Sequence, residues 1–154
     1  MELAALRGHV IERLVVKPTM GNLLLWRSVY QAGDRFFVDA VRVGLIGTRA
    51  YSGESLPVFR SSADTPLVPP DSVQAGDIER FTRFSDGFVV RHPERSNVLG
   101  DVRYAMLPTS ARPLWGIELD PDRPRSHARY AFYREMSKDE RGQFVAMLLG
   151  RQPG

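Results

Sequence analysis

Apolar residues in the first part of the chain recur at spacings of three and four. Leu3, Leu6, Val10 and Leu14 fall on one side, with Arg7, Glu12 and Arg13 on the other. That pattern predicts an amphipathic helix over residues 2–15. Pro18 disfavours helical geometry at Lys17, so the helix is expected to stop there, and Gly21-Asn22 reads as a loop.

From Leu23 to Tyr30 the period changes to two. Leu24, Trp26, Ser28 and Tyr30 share one face, and Leu23, Leu25, Arg27 and Val29 the other. A second apolar run, Arg35 to Leu45, follows Ala32-Gly33-Asp34, so the pair predicts a β-hairpin. Neither face of the first strand is wholly polar. The hairpin is therefore expected to be covered on both sides or to lie beside a partner. Gly47 to Gly76 reads as a long internal connection rich in proline, with a short strand at Leu56, Val58 and Phe59.

Asp77 can cap a short helix over residues 78–84, ended by Ser85-Asp86-Gly87. Strands are expected at residues 88–92, 97–107 and 114–119, an antiparallel meander separated by turn-rich segments. Residues 126–136 suit a strand or a helix equally. Ser137-Lys138-Asp139-Glu140 is a capping box that opens a helix carrying Phe144, Val145, Leu148 and Leu149, with Gly150 as its stop. The expected fold class is α+β: a mainly antiparallel sheet, built from a hairpin plus a meander, with an N-terminal, a short central and a C-terminal helix.

At 154 residues, 43% hydrophobic and 25% charged, the chain has the size and balance of one soluble domain, residues 1–154. It contains no cysteine, which excludes disulfides, thiolate metal sites and a cysteine nucleophile. No apolar run is long enough to span a bilayer, and charges at Glu2, Arg7, Glu12 and Arg13 do not fit a signal peptide. The net charge is only +3, yet the isoelectric point is about 9.6. Lys17 and Lys138 are the only lysines among 21 basic residues. Arginine stays protonated far above neutrality and keeps the isoelectric point high.

Candidate chemistry is sparse. His9 and Glu12 have helical spacing but lack the further ligands that a metal needs. His92 reads as a turn residue and His127 as a solvated one. Neither a phosphate-binding glycine loop nor a nucleophile elbow is present. Arg27, Asp39, Asp101 and Arg103 stand out because they interrupt apolar strand runs. Buried charges must pair or reach a surface. These four are expected either to form structural ion pairs or to line a polar groove for a ligand or partner, with Asn22 and Trp26 beside them. Arg123, Arg125 and Arg129, near Tyr130, Phe132 and Tyr133, have the composition of an anion- or single-strand-binding surface, although nearby Glu135, Asp139 and Glu140 would repel phosphate. An independent enzyme using Asp101 or His92 is a third reading.

Two segments carry a resemblance. The Pro18-x-x-x-Asn22-x-x-x-Trp26-Arg27 run and the Phe84-Ser85-x-Gly87-Phe88 run, with Gly100-Asp101-Val102-Arg103 and Leu114-Trp115-Gly116-Ile117, resemble the C-terminal soluble portion of the bacterial membrane-bound metal-dependent hydrolases, the YdjM-like inner-membrane proteins. The similarity runs from about residue 7 to about residue 119. It implies a C-terminal fragment of a longer protein that begins just after the last membrane segment. It also implies an accessory or recognition domain that is not catalytic alone and whose partner is its own membrane-embedded N-terminal region. The parent would sit in the inner membrane with this domain soluble and facing the cytoplasm. The divalent metal of the family belongs to the N-terminal part, so no cofactor, metal ligand or catalytic residue is carried onto this chain. The substrate is not implied. The alternative from another class is a stand-alone module binding an anionic ligand or nucleic acid through Arg123, Arg125 and Arg129.

Overall fold

The computed structural model describes residues 2–45, 47–60 and 68–154. Met1, Ile46 and residues 61–67 lie outside it, and with them part of the expected 47–76 connection, including Pro66. The chain is α+β. Its elements in order are α1 (Glu2–Leu6), β1 (Arg13–Pro18), β2 (Leu25–Ala32), β3 (Arg35–Gly44), β4 (Gly47–Pro57), α2 (Val73–Phe84), β5 (Val89–Arg91), β6 (Val98–Asp101), β7 (Trp115–Glu118), β8 (Arg129–Phe132) and α3 (Lys138–Leu148). They form two four-stranded antiparallel sheets, each in simple chain order, β1-β2-β3-β4 and β5-β6-β7-β8.

The expected helix over residues 2–15 is corrected: it ends at Leu6. Gly8 takes a left-handed backbone (φ 69°), which glycine tolerates because it has no Cβ. Residues 13–18 then pair with β2, Arg13 opposite Gln31 through to Pro18 opposite Trp26. Helical and strand periods overlap over so short a run, and the β-branched pair Val15-Val16 fits the strand. β1 is an edge, where Pro18 costs no ladder bond.

The expected hairpin is present, with Gly33 (φ 61°) in its turn. The loop reading of residues 47–57 is corrected: they form β4, the longest strand. Its polar and glycine residues hide it, yet they suit a sheet edge with a bulge. Phe37 pairs with Ser55 and Asp39 with Ser52, so Gly53 and Glu54 stand against Val38 alone. A Cβ on Gly53 would lie 2.3 Å from the Val38 carbonyl oxygen and 2.4 Å from that of Thr109, so only glycine fits.

The central helix starts earlier than expected. Ser72, not Asp77, caps it by accepting from Ala75 N (3.1 Å). The expected 97–107 strand is four residues, Val98–Asp101, followed by turns. Residues 129–132 resolve as strand β8. The Ser137–Glu140 capping box forms as expected, and Gly150 takes φ 75° after α3.

The layers follow from alternation. Val89, Leu99, Trp115 and Ile117 pack under α2 with Ile78 and Phe81. Val90 and Val102 face the other sheet and meet Val29, Phe36 and Val38. Phe36 and Phe88 stack across that seam, centroids 5.2 Å apart. Leu25, Ala40 and Tyr51 close on Leu107 and on Met147 of α3. The order is thus α2, second sheet, first sheet, with α1 and its following turn over the outer face. No helix among the described residues is long and apolar enough to cross a membrane.

Candidate functional site

The charges inside the strands are taken up by internal bonding. Arg27 is 2% exposed and faces the second sheet. Its Nε and one terminal nitrogen donate to Val102 O (3.1 and 2.8 Å), and the other donates to Pro108 O (2.7 Å) and Ser110 O (2.8 Å). It is a fork that gathers the segment after β6 onto the first sheet. Burial lowers its pKa to about 9, still well above neutrality, so it keeps its charge.

Asp101, wholly buried, receives a two-pronged bond from Arg103, Nε to Oδ1 at 3.0 Å and a terminal nitrogen to Oδ2 at 2.8 Å. Arg103 also donates to Asp86 Oδ2 (2.6 Å) and Phe84 O (3.2 Å), pinning the C-terminus of α2 to the sheet. The Asp101 bond, above all, raises the Arg103 pKa further. Asp39 lies on the opposite face of the first sheet from Arg27. There it receives Arg7 through two bonds of 2.8 Å and Gly53 N at 3.0 Å. Arg7 and the His9 ring, whose Nδ1 is 3.0 Å from the Tyr30 hydroxyl, cover that face.

Asn22 holds the β1–β2 loop: its Oδ1 accepts from Leu24 N (3.1 Å) and Leu25 N (2.7 Å). Trp26 Nε1 donates to Leu23 O at 2.9 Å in the same loop. The six candidate groove residues therefore divide between two faces and a loop. Arg27, Asp101 and Arg103 are neighbours, but Arg27 is spent on backbone carbonyls and Asp101 on Arg103. In the arginine-rich segment, Arg129 pairs with Glu118, Arg123 lies 3.8 Å from Asp120, and Arg125 is exposed. Carboxylates thus interleave with two of the three cations.

Two concavities escape a sequence reading. His92 is 4% exposed. Its Nδ1 accepts from Glu94 N (3.1 Å), and its ring packs edge-on against Tyr133. Burial holds its pKa below the ordinary 6.5. Burial, and then a bond to Glu118, raise the Tyr133 hydroxyl. The small, partly open space beside them, lined also by Leu107, Ser110 and Arg112, measures about 30 Å³. That is room for ordered water rather than for a substrate. The adjoining open hollow is crossed by the Arg112–Glu140 ion pair, and there Glu54 accepts from Ala111 N at 2.6 Å.

The second concavity is an apolar groove of about 300 Å³ between α2 and the β7–β8 pair, lined by Phe81, Phe84, Ile117 and Tyr130 with Asp77 and Arg80 at its rim. Trp115 packs behind the aromatic residues that line it. It stacks on Tyr130 (centroids 5.1 Å) and meets Phe81 and Phe84 edge-on. Phe84, Tyr130 and Phe132 remain more than half exposed. Asp77 is held below its usual range, against the cost of burial, by bonds from Ala128 N, His127 and Arg80.

β8 is the outer strand of its sheet. Tyr133 N donates to Leu114 O at 2.7 Å, so bonded pairs alternate from there. The backbone groups of Tyr130 and Phe132 therefore point away from β7, along an open edge. The one sequence sign of this site is the Tyr130–Phe132 alternation, which gains meaning only once residues 129–132 are a strand.

Comparison of the chain with family models, curated proteins and solved structures finds no match. Among the described residues no group of three or more His, Asp or Glu is placed to hold a metal ion.

Proposed function

We propose that the chain is a recognition domain that captures an extended peptide segment along the open edge of β8. The carrying observation is the coincidence of that edge with the aromatic groove. The backbone groups of Tyr130 and Phe132 face outward beside exposed aromatic side chains and a concave apolar surface. Main-chain pairing supplies affinity in this mode of binding, and side-chain pockets supply selectivity. Natural edge strands usually carry charge, proline or cover, and an edge with large exposed aromatics invites pairing. The Arg134 guanidinium lies over Phe132 (5.1 Å), which favours an apolar segment with an acidic flank, whereas Arg80 at the groove rim is already paired with Asp77.

In the YdjM-like resemblance this domain would serve a membrane-bound hydrolase as its accessory recognition part. The peptide reading does not depend on that parent. The strand charges Arg27, Asp39, Asp101 and Arg103 are bonded within the fold and take no part in it.

Selection of random peptides against the purified domain tests the reading. Selected peptides should lose roughly a hundredfold in affinity for the Tyr130→Ser/Phe132→Ser variant, since buried aromatic anchors dominate such interfaces. Equal binding to that variant, or failure to select any peptide, would overturn it.

A further inference from the structure

The first sheet ends in two adjacent hairpin tips that are apolar and exposed. The β1–β2 loop presents Met20 (68% exposed), Leu23 (75%) and Leu24. The β3–β4 hairpin presents Val43 and the fully exposed Leu45. Val43 N donates to Leu24 O at 2.7 Å, so the two tips are physically joined. The loop is also stiff. Asn22 bonds both Leu24 N and Leu25 N, Thr19 Oγ1 donates to Leu25 O at 2.9 Å, and Trp26 closes on Leu23 O. These side chains are held in water by a bonded frame, and an apolar cluster displayed in this way marks an interaction surface.

The charge on the segments that carry the tips is of one sign. No Asp or Glu side chain occurs in residues 13–33, 40–53 or 141–154, which supply the two hairpin ends and the end of α3 bonded to them. The same segments bring Lys17, Arg42, Arg49 and Arg151. Arg42 donates to Leu148 O (2.8 Å) and Arg49 to Gly150 O (2.6 Å), carbonyls rather than carboxylates, so among the described residues neither charge is paired with a carboxylate.

We infer that this end docks on an anionic lipid bilayer, the tips entering the headgroup boundary and the cations meeting lipid phosphates. Apolar residues ringed by Lys and Arg are what such a surface selects, because burial and attraction to anionic headgroups act together. A second copy of the chain fits less well. Two-fold pairing would set these cations against themselves. The tips belong to the other sheet from β8, so the surface stands whether or not β8 binds peptide.

Co-sedimentation with vesicles is the test. The intact protein should sediment with phosphatidylcholine–phosphatidylglycerol vesicles and roughly tenfold less well with phosphatidylcholine alone. Trp26 emission should move to shorter wavelength on binding. Leu23→Ser/Leu45→Ser should reduce sedimentation roughly tenfold with the thermal midpoint unchanged, since both side chains are exposed. Sedimentation of that variant at the intact level, or no sedimentation of the intact protein with either vesicle, would overturn the inference. So would a concentration-dependent dimer that the same substitutions abolish, because a second copy would then own the surface.

Discussion

Arg27 shows how one residue can be legible in type and illegible in role. A charge within Leu25–Val29 announces that something must satisfy it, and the sequence pattern allows either a partner or a groove. The answer lies some 75 to 83 positions away, in the carbonyls of Val102, Pro108 and Ser110. Backbone acceptors leave no mark in composition. Arg27→Met strands those carbonyls in a dry seam and should cost about 3 kcal/mol or more in urea unfolding. Arg27→Lys keeps the charge but loses the fork, and should recover only part of that loss.

His92 carries the pH counterpart. Burial lowers its pKa in the folded chain, so the unfolded chain takes up the proton first as pH falls. Stability from this site is complete above about pH 6.5 and declines below it. The bonded carboxylates of Asp77, Glu118 and Glu140 are also held low. They act in the same direction but at more acid pH, which leaves the range from about 6.5 to about 5 to His92. His92→Gln should flatten the fall of thermal midpoint across that range.

Among the elements, those with an unmistakable local signal came through from sequence: the β2–β3 hairpin around Gly33 and the α3 capping box at Ser137 and Glu140. Two others were hidden for physical reasons. β1 shares its apolar spacing with a helix, and of its inward positions Arg13, Val15 and Lys17 two are charged, with cations over Phe88 (4.2 Å) and Tyr104 (5.8 Å). Alternation of apolar and polar residues therefore does not report its buried side. β4 carries Ser52, Gly53 and Ser55, which read as a loop until the bulge gives each a place. Gly53 passes between two backbone carbonyls, and its amide bonds Asp39. Gly53→Ala must displace backbone rather than a flexible side chain. It should destabilise by about 2 kcal/mol in urea unfolding, within the usual range for overpacking. An unchanged midpoint would show that the bulge relaxes freely.

For the whole molecule, the antiparallel meander was readable but its partition into two stacked sheets was not. That division rests on contacts such as Phe36 on Phe88 and Arg27 on the 102–110 segment, which join distant parts of the chain. The candidate site followed the same rule. Residues singled out for unusual charge turned out to hold the layers together. The groove is instead assembled from unremarkable apolar and aromatic residues of α2, β7 and β8, whose common face exists only in three dimensions. The molecule then offers two distinct surfaces, an open strand edge on one sheet and apolar tips on the other. Amide hydrogen exchange at Tyr130 and Phe132 tests the central claim most directly. With a selected peptide bound, both amides should slow roughly a hundredfold while the exposed tip amides of Met20 and Leu23 keep their rates. Unchanged exchange at Tyr130 and Phe132, with protection elsewhere, would contradict recognition at the β8 edge.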